Sequence, residues 1–107
     1  MALQERLIAA WSRKTASTWT IDNPARGQCS VTALVVHDLH GGSILKTRVG
    51  PHWHFYNSVD NSRLDLTASQ FETDIQYDDV PATRDEALSD TSVEQYEALR
   101  SELGLPT

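Results

Sequence analysis

Cys29-Ser-Val-Thr-Ala-Leu-Val-Val-His-Asp-Leu-His40-Gly41-Gly42 is the stretch on which the fold turns. Its apolar residues, Val31, Ala33, Leu34, Val35, Val36 and Leu39, are too continuous to mark one amphipathic face, so periodicity alone fits a buried helix or a buried strand. Two features decide for a helix over Cys29–His40. The run is longer than a typical strand, and Gly41-Gly42 stand where a helix C-cap needs positive φ. The β-branched residues argue the other way, for a strand.

Upstream, Leu3, Leu7, Ile8 and Trp11 recur at helical spacing while Gln4, Glu5 and Arg6 face away, which predicts an amphipathic helix over residues 2–13. Trp19 to Gly27 combines a pre-proline turn with a glycine and reads as irregular loop leading to Cys29. Downstream, Ile44 to Val49 alternates with the period of a half-buried strand and stops at Gly50-Pro51. Trp53 to Val59 and Arg63 to Thr67 are strand-like runs separated by Asp60-Asn61-Ser62, so they read as a hairpin. The acidic stretch 72–90 has no steady period and reads mostly as solvated loop, with a short strand near Ile75 to Tyr77. Thr91-x-x-Glu94 has the form of a capping box, Val93, Tyr96, Leu99, Arg100 and Leu103 follow on one face, and Gly104 with Pro106 closes a C-terminal helix.

At 107 residues, with no repeat or linker, the chain is expected to form a single domain over 1–107. The fold class that follows is α+β, with helices packed on a small antiparallel sheet. A net charge of −6 offers no surface that would neutralise phosphates, so nucleic acid is not an expected partner. Uninterrupted apolar runs such as Leu7 to Trp11 and Ala33 to Val36 are far too short to span a bilayer, and the N-terminus lacks a signal-peptide pattern, so the expected setting is cytoplasmic with no membrane association.

One cysteine forms no internal disulfide, so Cys29 serves either packing or chemistry. A thiol attacks as thiolate. Unpaired N–H groups at a helix N-terminus and a nearby imidazolium both lower its pKa, and Cys29 stands where both can act. His54 and Asp65 follow on the two hairpin strands, giving a nucleophile, a base and an orienting acid in chain order. The backbone N–H of Cys29 and the side-chain amide of Gln28 are the candidate oxyanion donors. Register supplies a geometric condition. With a two-residue Asp60-Asn61 loop, Val59 pairs with Ser62, His54 faces Thr67 and Asp65 faces Tyr56, so His54 and Asp65 are diagonal neighbours on one face; an odd loop separates them. One tension is visible: the more apolar hairpin face carries Trp53, Phe55, Val59, Leu64 and Leu66, not the triad residues.

Pro24-Ala-Arg-Gly-Gln-Cys29-Ser-Val-Thr-Ala-Leu-Val-Val36, Gly41-Gly42-x-Ile-Leu45, His54-Phe-Tyr-Asn57, Leu64-Asp-Leu-Thr67, Gln70-Phe71 and Tyr96-Glu-Ala-Leu-Arg100 together closely resemble the bacterial YunG-like family, over nearly the whole chain. The Gly-Gln-Cys, His, Asp order also looks like the minimal core of papain-fold domains, where a cysteine at a helix N-terminus meets a histidine and an Asp or Asn on consecutive strands. That resemblance implies a reduced papain-like fold. It departs at Gln28, since the oxyanion-hole glutamine of papain-like enzymes precedes the cysteine by several residues.

The leading expectation is a thiol-dependent hydrolase or transferase in which Cys29 attacks a carbonyl, His54 moves the proton and Asp65 orients the imidazole. Peptidase, amidase, deamidase and acyl transfer share this chemistry, so the implied partner is a small amide or ester, or a protein. No cofactor is required. The alternative is a non-catalytic protein-binding or inhibitor module in which Cys29 is a buried, inert hydrophobe. A metal site from Cys29, His52 and His54 lacks a zinc-like spacing and is not expected. His37 and His40 read as surface or interface histidines, and the plain structural reading of Asp65 is a partner for Arg63 or a turn cap.

Overall fold

The computed structural model describes residues 2–106. Its elements run α1 (Leu3–Ala10), α2 (Cys29–His40), β1 (Ser43–Val49), β2 (His52–Val59), β3 (Ser62–Leu64), a 3₁₀ turn at Ala68–Gln70, β4 (Val80–Ala82), α3 (Arg84–Ser89) and α4 (Val93–Glu102). The four strands form one antiparallel sheet in the order β3-β2-β1-β4. The α+β expectation therefore holds, helices and sheet alike.

The ambiguous stretch is a helix, buried along its whole first two turns from Ser30 to Val36. Its continuous apolar run has a plain cause: α2 is covered on opposite sides. Val31 and Val35 join Leu7, Ala10 and Trp11 of the N-terminal segment and Leu99 and Leu103 of the C-terminal one. Ala33 and Leu34 join Ile44, Phe55 and Ala87 on the sheet side. The C-terminal end of α2 is tied down by charge, with Asp38 pairing Arg84 at 3.0 Å and Arg100 at 2.8 Å while Arg84 donates to His37 Nδ1 at 2.9 Å. His37 is thus a tie between α2 and α3.

Gly41 and Gly42 have φ of 70° and 74°, as the C-cap reading required. They differ in surroundings. A Cβ on Gly41 meets nothing within 4 Å, whereas one on Gly42 falls 2.1 Å from the Ser58 carbonyl oxygen. Gly41→Ala should then cost about 1–2 kcal/mol, the cost of the left-handed backbone alone, and Gly42→Ala distinctly more, because β2 backbone must move. Urea midpoints of the two variants test this, and equal losses would refute the steric part.

Several boundaries shift from the sequence reading. The first helix stops at Ala10, and Trp11 leaves it to donate its indole N–H to Thr32 Oγ1 at 3.0 Å; Ile8 is exposed and Ala10 takes its place in the core. The stretch 72–90 is loop over 72–79, as expected, but its second half holds β4 and α3, and 75–77 is not a strand. The true capping box is Thr83–Glu86, at the start of α3, and α4 is capped instead by Ser92, whose hydroxyl accepts from Gln95 N–H. Acidic residues in a first turn complement the helix dipole, so the acidity that suggested solvated loop partly marks a helix start.

The hairpin keeps the expected register over three pairs, but the strand expected to run to Thr67 ends at Leu64, because Asp65 turns to accept the Thr67 N–H instead of pairing opposite Tyr56. Val59 pairs with Ser62 across Asp60 and Asn61, both at positive φ, as a tight two-residue turn demands. The tension over its faces resolves because both are covered. Asn57 donates to the Ala33 carbonyl of α2 at 3.0 Å and Phe55 packs with Ala33 and Leu34 on one face. On the other, His54 and Tyr56 meet Phe71 and Tyr77 from the segment that follows β3.

Candidate active site

His54 and Asp65 meet. Asp65 lies one residue past β3, and its Oδ2 accepts from His54 Nε2–H at 2.7 Å, with the two side chains only 1% and 5% exposed. The same oxygen accepts the Tyr77 hydroxyl at 2.7 Å, and Oδ1 accepts the Thr67 N–H and hydroxyl at 3.2 and 3.3 Å. Burial works against the Asp65 charge, but these hydrogen bonds outweigh it and hold the carboxyl below its ordinary pKa. Of the two plain readings of Asp65, the pair with Arg63 does not form, since Arg63 forks onto Asp79, while the turn cap does, through the Thr67 N–H. Phe71 sets its ring edge-on to the imidazole at 5.0 Å and Tyr56 stacks at 5.9 Å, so the ring is fixed in position as well as in tautomer.

An ionised carboxylate on Nε2 places the imidazole proton there and leaves Nδ1 as the basic nitrogen. Nδ1 is buried and has no hydrogen-bond partner among the described residues. His54 and Cys29 both line a cleft of about 460 Å³, whose walls also include Trp53, Gln70, Phe71 and Asp90. Cys29 is half-buried at the first position of α2 and packs beside Phe55, the neighbour of His54. No hydrogen bond joins Cys29 to His54 among the described residues.

The thiol is not activated in this resting state. Burial pushes its pKa up to about 11, the charges of Asp90 and Asp65 add to the rise, and the backbone amides of Phe55 and Ser30 oppose it. This reverses the expectation of a lowered pKa. A helix terminus offers only about half a unit charge, which here does not offset desolvation and two carboxylates. At pH 7 such a thiol is about one part in 10⁴ thiolate.

Gln28 is not brought to the cleft. It is fully buried, its side-chain oxygen accepts from the Thr15 hydroxyl at 2.8 Å, and its Nε2 has no partner among the described residues. It also provides no side-chain cap, so no Gln28 group occupies the first N–H groups of α2, of which that of Ser30 turns to the Cys29 sulfur. Sequence reasoning missed Tyr77, Phe71 and Asp90. Tyr77 and Asp90 lay within the stretch read mostly as loop, and Phe71 at its edge; an aromatic residue amid acidic ones was the available signal. Among the described residues, no group of three His, Cys, Asp or Glu side chains is arranged to hold a metal ion. No helix is long and apolar enough to cross a membrane.

Comparison with known proteins gives a consistent family. The family described as "YunG protein" matches residues 1–105. A Bacillus subtilis (strain 168) protein, "Uncharacterized protein YunG", is 50% identical over 94 residues, which covers 88% of this chain and 82% of that relative. No solved structure matches the chain.

Proposed function

This chain belongs to the YunG family, and from that premise we propose that it is a thiol-dependent hydrolase or transferase built on a reduced papain-like fold, with Cys29, His54 and Asp65 as its triad. One observation carries the reading. His54, held through Nε2 by Asp65 and with its Nδ1 buried and unpartnered among the described residues, lines the same cleft as Cys29. A buried imidazole nitrogen without a partner is costly, and a base awaiting a proton explains the cost.

Because the resting thiol is protonated, attack and proton transfer go together. Substrate entry and a turn of the Cys29 side chain bring Sγ within reach of Nδ1. The sulfur–carbon bond forms as the S–H proton moves to Nδ1, and Asp65 stabilises the resulting imidazolium. The oxyanion accepts from the open backbone N–H of Cys29; Gln28 Nε2 joins only after its side chain leaves Thr15. The imidazolium then gives its proton to the leaving amine or alcohol as the carbon–heteroatom bond breaks. Water or another acceptor, deprotonated by His54, resolves the thioester. Amide, ester and acyl-transfer chemistry all follow this course.

The protein incubated with p-nitrophenyl acetate should release p-nitrophenol and carry an acetyl group on Cys29 by peptide mass spectrometry, and Cys29→Ala should not. A native chain that stays unmodified at pH 7–9 while the denatured chain is acylated would overturn the proposal. It would leave the second reading, a protein-binding or inhibitor module, which the raised thiol pKa favours.

A further inference from the structure

Resting on the proposed function, we infer that the cleft selects amides or esters bearing a cationic group, an ammonium or guanidinium, and that Asp90 is the residue that receives it. Asp90 follows α3 and lines the cleft with Cys29, and its charge acts on the sulfur. It makes no ion pair with Lys or Arg among the described residues, where Asp38, Asp79 and Glu86 each do. The Ser30 hydroxyl and the His52 imidazole are its near neighbours. The other carboxylate acting on the sulfur, Asp65, is fully engaged by His54, Tyr77 and Thr67 and has no room for a ligand.

The opposing charge in the cleft is Arg26, which lines the same space. It is not among the main charges acting on Cys29, whereas both carboxylates are. A cation entering beside the sulfur is therefore attracted. Binding also has a chemical effect. Asp90 helps to keep the thiol protonated, so a bound cation that cancels its field eases loss of the S–H proton to His54. The substrate charge then contributes to activation as well as to affinity, and the buried, unpartnered His54 Nδ1 is the base that benefits.

Charged thiol reagents test this without needing turnover. Native protein is treated at low salt with methanethiosulfonates bearing a trimethylammonium group, a sulfonate or only a methyl group. In each case Cys29 sulfur attacks the reagent's sulfenyl sulfur, a mixed disulfide forms and methanesulfinate leaves. Rates are divided by those for free cysteine. The cationic reagent should react about tenfold faster than the anionic one, with the ratio shrinking in high salt. Asp90→Asn should bring the ratio near one and speed the neutral reagent, because the thiol pKa falls; Asp90→Glu should preserve the wild-type ratio. A ratio below one would overturn the inference and point to Arg26 as the governing charge; a ratio above one that Asp90→Asn leaves unmoved, in a protein with unchanged circular dichroism, would overturn it in favour of another carboxylate such as Asp65. These rates report on the field at the sulfur whether or not p-nitrophenyl acetate acylates it. Failure of the selectivity and failure of the triad are thus separate results.

Discussion

Replacing His54 by Gln should slow acylation of Cys29 by p-nitrophenyl acetate by about 10²–10⁴-fold, the usual contribution of a positioned acid–base group. Gln is chosen because its amide can still donate to Asp65, whereas Ala leaves a buried carboxylate without its partner and threatens the fold. The pH dependence should change with the rate. With the imidazole as the proposed base, the native reaction should proceed at neutral pH although the thiol ionises only near 11. In the variant only the rare thiolate attacks, so the rate should climb roughly tenfold per pH unit toward that value. Equal rates and parallel profiles in folded His54→Gln and wild-type protein would remove His54 from the chemistry.

Asp65→Ala should cost about 3–5 kcal/mol at pH 7, the range for breaking a buried pair from one side. It strands His54 Nε2–H and the Tyr77 hydroxyl together, and Thr67 loses both of its hydrogen bonds to the carboxylate. The sign of the pH effect follows from the direction of the shift. The folded carboxyl has a pKa below the ordinary 3.8, so its stabilisation is present above that value and fades as pH falls through the folded one. The wild-type advantage over Asp65→Ala should therefore narrow in acid. Urea midpoints at pH 7 and near pH 3.5 measure it, and a gap that stays constant would mean that the charge of Asp65 contributes nothing. Tyr77→Phe provides the milder companion: it removes one of two donors from Oδ2, with a loss of about 1 kcal/mol.

Legibility varied with the range of the interaction concerned. The hairpin register was readable because Asp60-Asn61 suits a two-residue turn and a period-2 strand permits only two facings. From that register alone His54 and Asp65 could be set on one face, and they bond at 2.7 Å. The helical character of Cys29–His40 was readable from run length and the glycine pair. Less legible was α3, whose six residues are too short for a periodic signal, although Thr83-x-x-Glu86 carried a capping box.

Short-range order, the element types and the meeting of His54 and Asp65 on one side of the hairpin, was determined by the sequence itself, since turn chemistry and periodicity act over a few residues. The tertiary structure alone decided three other matters. It covered both faces of the hairpin, brought Tyr77 onto the Asp65 oxygen already holding His54, and set Asp90 on the wall of the cleft that Cys29 lines. Each joins residues distant in the chain. The thiol pKa is the plainest case: the helix terminus that lowers it is local and could be read in advance, while the desolvation and carboxylate fields that raise it to about 11 come from packed elements and prevail.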